Sequence, residues 1–214
     1  MILHSIEAGP VDTRGYLIAD EQSREAVIVD VPMESHARFV SLLQQERLHP
    51  IAIVLTHGHF DHVGDVAPLA RSLGTPVYIH PADAPMLEQP MSNFPGLDLP
   101  IEGMKATHLL EGGDVLECGG LRLRIIHAPG HTPGHILLYE MRENILLSGD
   151  VLFHSSIGRT DLPGGDYDAL MENITKKVLT LSDDTIVYPG HGEATTIGFE
   201  RNHNPFILEY LEHL

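Results

Sequence analysis

The residues best suited to chemistry lie in one hexapeptide, His57-Gly58-His59-Phe60-Asp61-His62. Four of its side chains carry a lone pair that can bind a metal ion. His57 and His59 are two residues apart, so both imidazoles point to the same side if this segment is extended. Asp61 and His62 lie where a helical pattern begins, and they therefore face elsewhere. The spacing predicts two adjacent metal sites rather than one.

Three later segments also place a ligand-type residue directly after a predicted strand. The hexapeptide follows an apolar strand at residues 51–55, and His131, Asp150 and His191 follow strands at 121–127, 144–148 and 185–188. Glycine precedes each of these three residues and lets the backbone turn sharply. Strand ends at one edge of a sheet bring distant side chains together. A solvated histidine-rich loop, the alternative for the hexapeptide alone, does not explain this recurrence.

The candidate metal ligands are therefore seven: His57, His59, Asp61, His62, His131, Asp150 and His191. Seven groups are too many for one four-coordinate ion but suffice for two divalent ions if one group is shared. Asp150 is the candidate bridge, because a carboxylate has two oxygens. It would join His57, His59 and His131 on one ion. The same Asp150 would join Asp61, His62 and His191 on the other ion. Nitrogen and oxygen ligands without thiolate favour zinc and leave iron and manganese open.

Several residues near these ligands receive other interpretations. Asp30 ends a strand just before Pro32, and a turn role is favoured over a place beside the metal pocket. His135 is predicted to be a structural hydrogen-bonding residue, and His154 fits the pocket mouth and the surface equally well. By adjacency alone, the candidate hydrogen-bond partners of the imidazoles are Thr56, Thr132 and Ser148.

The remaining pattern predicts strands and helices that alternate in two similar halves. The strands are predicted at residues 1–7, 15–19, 26–30, 51–55, 76–80, 107–110, 114–117, 121–127, 135–140, 144–148 and 185–188, and the helices at 35–48 (with Ser35 as the N-cap), 63–73, 167–181 and 205–214. Residues 81–106 contain five prolines and predict a long surface excursion with one short helix, for which we hypothesise a role in walling the pocket. The order predicts a single domain over residues 1–214, with helices on the outer faces of two packed sheets.

Composition limits the classes of function. The chain has 13 basic and 30 acidic residues and a net charge of −17, so we expect no general binding to nucleic acid. A single cysteine, Cys118, cannot form an internal disulfide. Because no apolar run approaches membrane-spanning length and the N-terminus lacks a basic leader pattern, we expect a cytoplasmic protein that does not bind membranes. The sequence leaves the oligomeric state open.

With these residues in view, the chain resembles the metallo-β-lactamase superfamily over nearly its whole length. The pattern His57-x-His59-x-Asp61-His62 with the later His131, Asp150 and His191 is specific for the superfamily. The stretch at 148–153, followed by Ile157-Gly158-Arg159-Thr160-Asp161, is similar to its glyoxalase II-like hydrolases, in particular a compact bacterial branch without the C-terminal helical domain. The resemblance implies an α/β (α+β) fold, the four-layer αβ/βα sandwich, with a binuclear metal site on one edge.

The resemblance also implies hydrolysis of a small-molecule thioester such as a hydroxyacyl-glutathione. Two ions that share a water would lower its pKa toward neutrality, so no serine or cysteine nucleophile is needed. Asp150 and Asp61 would be the catalytic carboxylates, with Asp61 orienting the nucleophile as well as binding metal. Arg159 would pair with a substrate carboxylate, and the alternative for this residue is a salt bridge at the rim. Whether glutathione is the thiol carrier stays open.

Other functions compete with thioester hydrolysis. Persulfide dioxygenases of the same superfamily share the Gly158-Arg159-Thr160-Asp161 stretch and use a single iron, so a mononuclear-iron oxidoreductase is the main alternative. A binding protein with structural metals is a second alternative, although structural zinc sites are usually closed and rich in cysteine. Lactamase and nuclease activities rank lower, the nuclease because of the negative charge.

Overall fold

The computed structural model describes residues 1–91 and 99–213. The first sheet contains six strands in sequential order: β1 (Ile2–Ala8), β2 (Thr13–Ala19), β3 (Glu25–Val29), β4 (His49–Val54), β5 (Val77–Ile79) and β6 (His108–Leu109). The strands β1 to β3 form an antiparallel meander, and β3 to β6 run parallel. Four helices connect these strands or follow them: α1 (His36–Glu46), α2 (Phe60–Val63), α3 (Val66–Leu73) and α4 (Ala84–Glu88).

The second six-stranded sheet contains β7 (Val115–Cys118), β8 (Leu121–His127), β9 (Ile136–Glu140), β10 (Ile145–Gly149), β13 (Ile186–Pro189) and β14 (Thr195–Thr196), and a small hairpin contains β11 (Leu152–Phe153) and β12 (Ser156–Ile157). The strand order in this sheet is β14-β13-β10-β9-β8-β7. Only β10 and β13 pair in parallel in this sheet, among the described residues. The helices on its outer face are α5 (Tyr167–Lys176) with a 3₁₀ turn (Val178–Thr180), α6 (Ile197–His203) and α7 (Pro205–Glu212).

Alternating side chains along the strands create three apolar layers. In β2 and β3, Leu17 and Ile28 pack outward against Phe39 and Leu43 of α1, whereas the neighbouring residues Ile18 and Val27 face the second sheet. The second sheet repeats the pattern, with Leu137 and Leu146 on the helical side and Leu138 and Leu147 between the sheets. The resulting layers are helix, sheet, sheet and helix, so the predicted α/β four-layer sandwich is confirmed.

Hydrogen bonds also join the two sheets at the edge where the candidate ligands lie. The Tyr16 hydroxyl on β2 donates to the Pro189 carbonyl at the end of β13, at 2.6 Å. Nearby, the Arg14 amide donates to the Gly190 carbonyl at 2.8 Å, and the Ile136 amide donates to the Thr56 carbonyl at 2.8 Å. These bonds fix the separation of the sheets where β4 and β13 end.

The structure differs from the predicted elements in several places. Ser35 occupies the N-cap position of α1, but its hydroxyl donates to the Pro32 carbonyl and makes no bond to the helix. The helix predicted at 63–73 begins three residues later, as α3, because Gly64 and Asp65 separate it from the preceding short helix α2. The helix α6 and the short strands β11, β12 and β14 were missed, since segments of two to seven residues carry little periodicity. No helix in the described ranges is long and apolar enough to cross a membrane.

Replacing Phe39 with alanine tests the packing of α1 on the first sheet. Phe39 is fully buried, so the substitution leaves a cavity, and we expect the free energy of unfolding to fall by about 3–5 kcal/mol. Urea denaturation followed by circular dichroism measures the change. The control is Phe206→Ala on α7, where the ring is 39% exposed and the expected loss is about 1 kcal/mol or less. Equal losses in the two variants would contradict the assignment of this core.

Candidate metal centre

Four strands end at one edge of the sandwich and deliver the candidate ligands. His57 and His59 follow β4 of the first sheet, and His131, Asp150 and His191 follow β8, β10 and β13 of the second. The short helix α2 begins after His59 and carries Asp61 and His62 in its single turn. The seven side chains predicted from the sequence therefore come together, and all of them except His191 are buried.

The first cluster contains three imidazole nitrogens that point at a common position. His57 Nε2 lies 3.1 Å from His59 Nδ1, which lies 2.8 Å from His131 Nε2, and the two Nε2 atoms are 3.2 Å apart. Nitrogens bound tetrahedrally to one zinc at about 2.0–2.1 Å are separated by roughly 3.3 Å. The triangle is therefore close to the size that a single ion requires.

The second cluster combines one carboxylate with two imidazoles. Asp61 Oδ2 lies 3.4 Å from His62 Nε2 and 3.2 Å from His191 Nε2. The hydroxyl of Thr13 on β2 donates to the same Asp61 oxygen at 2.8 Å and holds the carboxylate in place. This role of Thr13 was missed, because Thr13 and Asp61 are far apart in the sequence.

Asp150 lies between the two clusters. One carboxylate oxygen, Oδ1, is 3.3 Å from His62 Nε2, and the other, Oδ2, is 3.6 Å from His131 Nε2 and 3.5 Å from His191 Nε2. Its two oxygens thus face ligands of both clusters, which is the arrangement that a bridging carboxylate needs.

The outer hydrogen bonds determine which nitrogen of each ring carries a hydrogen. Four imidazoles place Nδ1 against an oxygen outside the clusters: His57 against Thr56 Oγ1 at 3.1 Å, His62 against Asp30 Oδ2 at 2.8 Å, His131 against the Arg159 carbonyl at 2.7 Å, and His191 against the Val11 carbonyl at 3.1 Å. Carbonyl and carboxylate oxygens only accept, and the Thr56 hydroxyl hydrogen is already donated to Asp30 at 2.7 Å. In the neutral rings, Nδ1 therefore carries the hydrogen and Nε2 turns a lone pair toward the cluster.

This geometry tests whether the residues present suit metal ions. Lone pairs of Nε2 atoms and carboxylate oxygens face one another at about van der Waals distance. His62 Nε2 and Asp150 Oδ1 are buried and make no hydrogen bond within the part of the chain that the structure describes. Buried acceptors that face each other are costly without a positive charge between them. The side chains therefore suit cations at both clusters, with a donor set of nitrogen and oxygen only.

The ionisation of the site agrees with this requirement. Burial lowers the pKa of His57 well below its usual range and lowers the pKa of His59 to about 3, so both rings are neutral at pH 7. Burial alone would raise the pKa of Asp61, but His62 lowers it to about 2. Burial also opposes a charge on His62, yet the carboxylates of Asp61, Asp150 and Asp30 raise its pKa well above the usual value. The field at the second cluster thus favours positive charge.

Asp30 contradicts the turn role predicted from the sequence. It is buried at the end of β3 with a positive φ of 59°, and it accepts hydrogen bonds from the Thr56 amide, the Thr56 hydroxyl and His62 Nδ1 at 2.7–2.8 Å. The prediction was wrong because β3 lies beside β4 in parallel, which brings the two strand ends together. Asp30 therefore supports His62 directly and supports His57 through Thr56.

The other predicted neighbours had mixed outcomes. His135 is a structural residue as predicted, since its Nε2 accepts from the Asp150 amide at 2.9 Å. His154 is exposed and stacks on Phe199, so it belongs to the surface. Among the candidate partners of the imidazoles, only Thr56 contacts a ring, whereas Thr132 binds Asp83 and Ser148 donates to the Leu152 carbonyl.

A pocket of about 350 Å³ opens over the two clusters. Its walls above the ligands are mainly apolar, formed by Val11, Phe60, Phe153, Ile157 and Leu162. Arg159 lines the rim, where its guanidinium donates two bonds of 2.7 Å to the Asp161 carboxylate. Residues 81–106 contribute no described residue to this lining, and 92–98 lie outside the described residues.

Comparison with known proteins places this fold and site in a family. The family model described as the metallo-beta-lactamase superfamily matches residues 8–191. The hydroxyacylglutathione hydrolase GloC of Haemophilus influenzae is 37% identical over 89% of this chain and 91% of its own length. A probable metallo-hydrolase of Bacillus subtilis is also 37% identical, over 93% of this chain and 94% of its own length. The chain belongs to the metallo-β-lactamase superfamily, as the sequence motifs predicted, and is a metallohydrolase of that superfamily.

Two solved structures are similar along nearly their entire length. The BLEG-1 B3 metallo-beta-lactamase has a TM-score of 0.89 and 42% identity, with coverage of 96% of this chain and 99% of that chain. The protein TTHA1623, solved in a di-iron-bound form, has a TM-score of 0.83 and 40% identity, with coverage of 95% and 99%. Relatives of similar identity thus carry names for different reactions, so the family defines the metal-dependent class and leaves the substrate to the pocket.

Replacing Gly190 with alanine tests whether Asp150 lies between the clusters. A Cβ at this position would lie 2.2 Å from Asp150 Oδ1 and 2.7 Å from His62 Cε1, so the carboxylate must move. We expect metal affinity to fall at least about tenfold with an unchanged circular dichroism spectrum. Dialysis against buffered zinc followed by elemental analysis measures this loss. In the control Gly120→Ala, the added Cβ meets only the Asp20 side chain, and metal binding should not change.

Proposed function

We propose that the protein is a binuclear metal-dependent thioesterase that acts on hydroxyacyl-glutathione-like thioesters. The observation that carries this proposal is the position of Asp150, whose two oxygens face ligands of two separate clusters. Support for the thioester comes from the Haemophilus influenzae relative, which is named a hydroxyacylglutathione hydrolase.

Two divalent ions would be held by the seven residues in the predicted division. His57, His59 and His131 would hold one ion, the group of Asp61, His62 and His191 would hold the other, and Asp150 would be shared. Zinc suits the nitrogen and oxygen donors, and the di-iron-bound form of TTHA1623 makes iron a second candidate, with manganese a third. When bound, such a pair of ions supplies hydroxide at neutral pH and stabilises developing negative charge.

The protein's own residues would position the reacting groups. Thr13 fixes one oxygen of Asp61, so this carboxylate can orient a nucleophile from a constant position. The apolar walls formed by Phe60, Phe153 and Ile157 would hold the acyl chain and exclude bulk water around the carbonyl. A thiolate is a good leaving group, so the reaction demands no dedicated general acid, and the described pocket lining offers no lysine for that role.

Arg159 would select substrates that carry a carboxylate. Its guanidinium lies at the pocket rim and already holds the Asp161 carboxylate in a bidentate pair, which is the geometry that a substrate carboxylate would use. The Arg159 carbonyl binds His131 Nδ1, so a change of the side chain leaves this backbone contact in place.

Replacing Asp150 with alanine tests the binuclear thioesterase directly. We expect metal content to fall from about two ions per chain to one or fewer. The thioesterase kcat/KM should fall at least about a thousandfold, which corresponds to about 4 kcal/mol of transition-state stabilisation. Zinc-, iron- and manganese-loaded proteins are assayed on a panel of hydroxyacyl and simple acyl thioesters, with elemental analysis of each sample. Unchanged metal content and rate in the variant would end the proposal.

Adding glutathione persulfide and a β-lactam to this panel separates the competing functions. If the protein binds one iron per chain and consumes oxygen with glutathione persulfide, the result would favour a persulfide dioxygenase over the hydrolase. Turnover of a β-lactam in preference to every thioester would favour the reaction named for the similar BLEG-1 structure. Two bound ions without turnover of any compound would favour a binding protein.

Replacing Arg159 with alanine tests the recognition of a carboxylate. For a thioester with a carboxylate in its carrier, we expect KM to rise about tenfold with kcat within about twofold, as for the loss of one charged hydrogen-bonding group. For a thioester without a carboxylate, both constants should stay unchanged. Asp161→Asn should have the opposite effect on KM, because it frees the guanidinium. The control is Arg122→Ala, an exposed arginine outside the pocket that pairs with Glu117. An equal effect of Arg159→Ala on both substrates would contradict this role.

A further inference from the structure

Asp83 is a buried carboxylate that accepts hydrogen bonds from the loops that carry the ligands of the first cluster. It is fully buried, and its Oδ2 accepts from the Gly58 amide at 3.0 Å and from the Thr132 hydroxyl at 2.7 Å. Its Oδ1 accepts from the Gly134 amide at 2.6 Å. Asp83 lies more than twenty residues after the hexapeptide, so sequence adjacency to the motif could not reveal it.

The three donors lie on the two loops that carry the three imidazoles of the first cluster. Gly58 lies between His57 and His59 on the loop that follows β4. Thr132 follows His131, and Gly134 lies two residues further along the loop between β8 and β9. One side chain therefore connects a ligand loop of the first sheet with a ligand loop of the second. None of these three donors adjoins Asp61, His62 or His191 of the second cluster.

The conformation of Asp83 is unusual for its position in the chain. Asp83 occupies the N-cap of α4, where an aspartate normally accepts from the first amides of its own helix. Here its side chain makes no capping bond, although its backbone carbonyl accepts from the Met86 and Leu87 amides. A capping bond usually contributes about 1 kcal/mol, and here the Asp83 oxygens instead accept from Gly58, Thr132 and Gly134.

The loops approach Asp83 only because two of the three donors are glycines. A Cβ on Gly134 would lie 2.6 Å from Asp83 Oδ1, and a Cβ on Gly58 would lie 2.5 Å from Met86 Cβ in the first turn of α4. Neither contact is tolerable without movement of the backbone, so the glycines allow the amides to reach the carboxylate.

We propose that Asp83 is a positioning residue that sets the spacing of His57, His59 and His131 by clamping their two loops together across the sheets. The inference rests on the proposed binuclear centre. Asp83 acts on the first ion alone, because its donors lie beside the ligands of that ion. Within the segment that follows β5, Asp83 would thus support the base of the site.

Asparagine cannot replace the clamp even though it has the same shape. The carboxylate accepts three bonds through two oxygens, whereas an amide has one accepting oxygen and one NH₂ group that only donates. In either orientation of Asp83→Asn, the NH₂ group faces an N–H or O–H donor in a buried site. The variant therefore loses at least one bond and places two donors against each other.

Metal titration of the apo-protein tests the asymmetry between the two ions. Cobalt(II) is added to chelator-treated protein, and its visible absorption and isothermal calorimetry report each binding step. In Asp83→Asn we expect one of the two ions to bind about 10–100-fold more weakly and the other to bind within about twofold of its original affinity. In turnover assays, kcat should fall with KM within about twofold, and excess metal should restore part of kcat.

Two further variants separate positioning from general destabilisation. Thr132→Val removes one donor to Asp83 without changing the size of the side chain, and it should weaken the same ion, whereas Thr132→Ser should restore its affinity. The matched control is Glu200→Gln, because Glu200 is also fully buried and accepts three bonds, from the Ser155 amide, the Thr195 hydroxyl and the Asn204 amide group. It should lower thermal stability and leave both metal affinities unchanged.

The outcomes distinguish this inference from the proposed function. Equal weakening of both ions in Asp83→Asn, or an equal effect of Glu200→Gln on metal affinity, would overturn the positioning role. Two ions bound with the predicted asymmetry, without hydrolysis of any thioester, would keep the role of Asp83 and remove the thioesterase.

Discussion

The main physical constraint on this structure is that buried lone pairs face and repel one another at one edge of the sandwich. Hydrogen bonds at Nδ1 fix four imidazoles so that their Nε2 atoms face one another or face the carboxylates of Asp61 and Asp150. In water each of these groups would find a hydrogen-bond donor, but in the interior none is available to His62 Nε2 or Asp150 Oδ1 among the described residues. Positive charge between these groups stabilises the arrangement, and metal ions at the two clusters would supply it.

The surrounding scaffold is built to resist that repulsion. Asp30 and Thr13 hold His62 and Asp61 in the second cluster, and Asp83 holds the backbones beside the first. These supporting groups belong to β2, to the end of β3 and to the start of α4, so two strands of the first sheet and one of its helices participate. Bonds between the sheets, such as that from Tyr16 to the Pro189 carbonyl, prevent the two ligand-bearing edges from separating. Preorganisation of this kind keeps the clusters in one geometry before any ligand binds.

The sequence predicted the groups that could bind metal better than the groups that hold them. The sequence identified ligands such as His57, His131 and Asp150 because each follows an apolar strand. Polar residues of these types are seldom buried at such positions unless they bind something. The long strands and helices had clear periodicity, and their existence was predictable for the same reason. The roles of Asp30, Thr13 and Asp83 were not, since each depends on a partner that only strand pairing or sheet packing brings near. The short elements β11, β12, β14 and α6 carried too few residues for a pattern.

The division of the ligands between the sheets has a consequence for biosynthesis. His57 and His59 leave the ribosome long before the strand that carries His191, and the early part of the chain contains only the β4 ligands and α2. A nascent chain can therefore offer a few histidines to an ion but cannot offer either complete cluster until the second sheet has docked on the first. Stable metal binding would therefore follow the docking of the two sheets, because a partly folded chain has too few ligands to retain an ion.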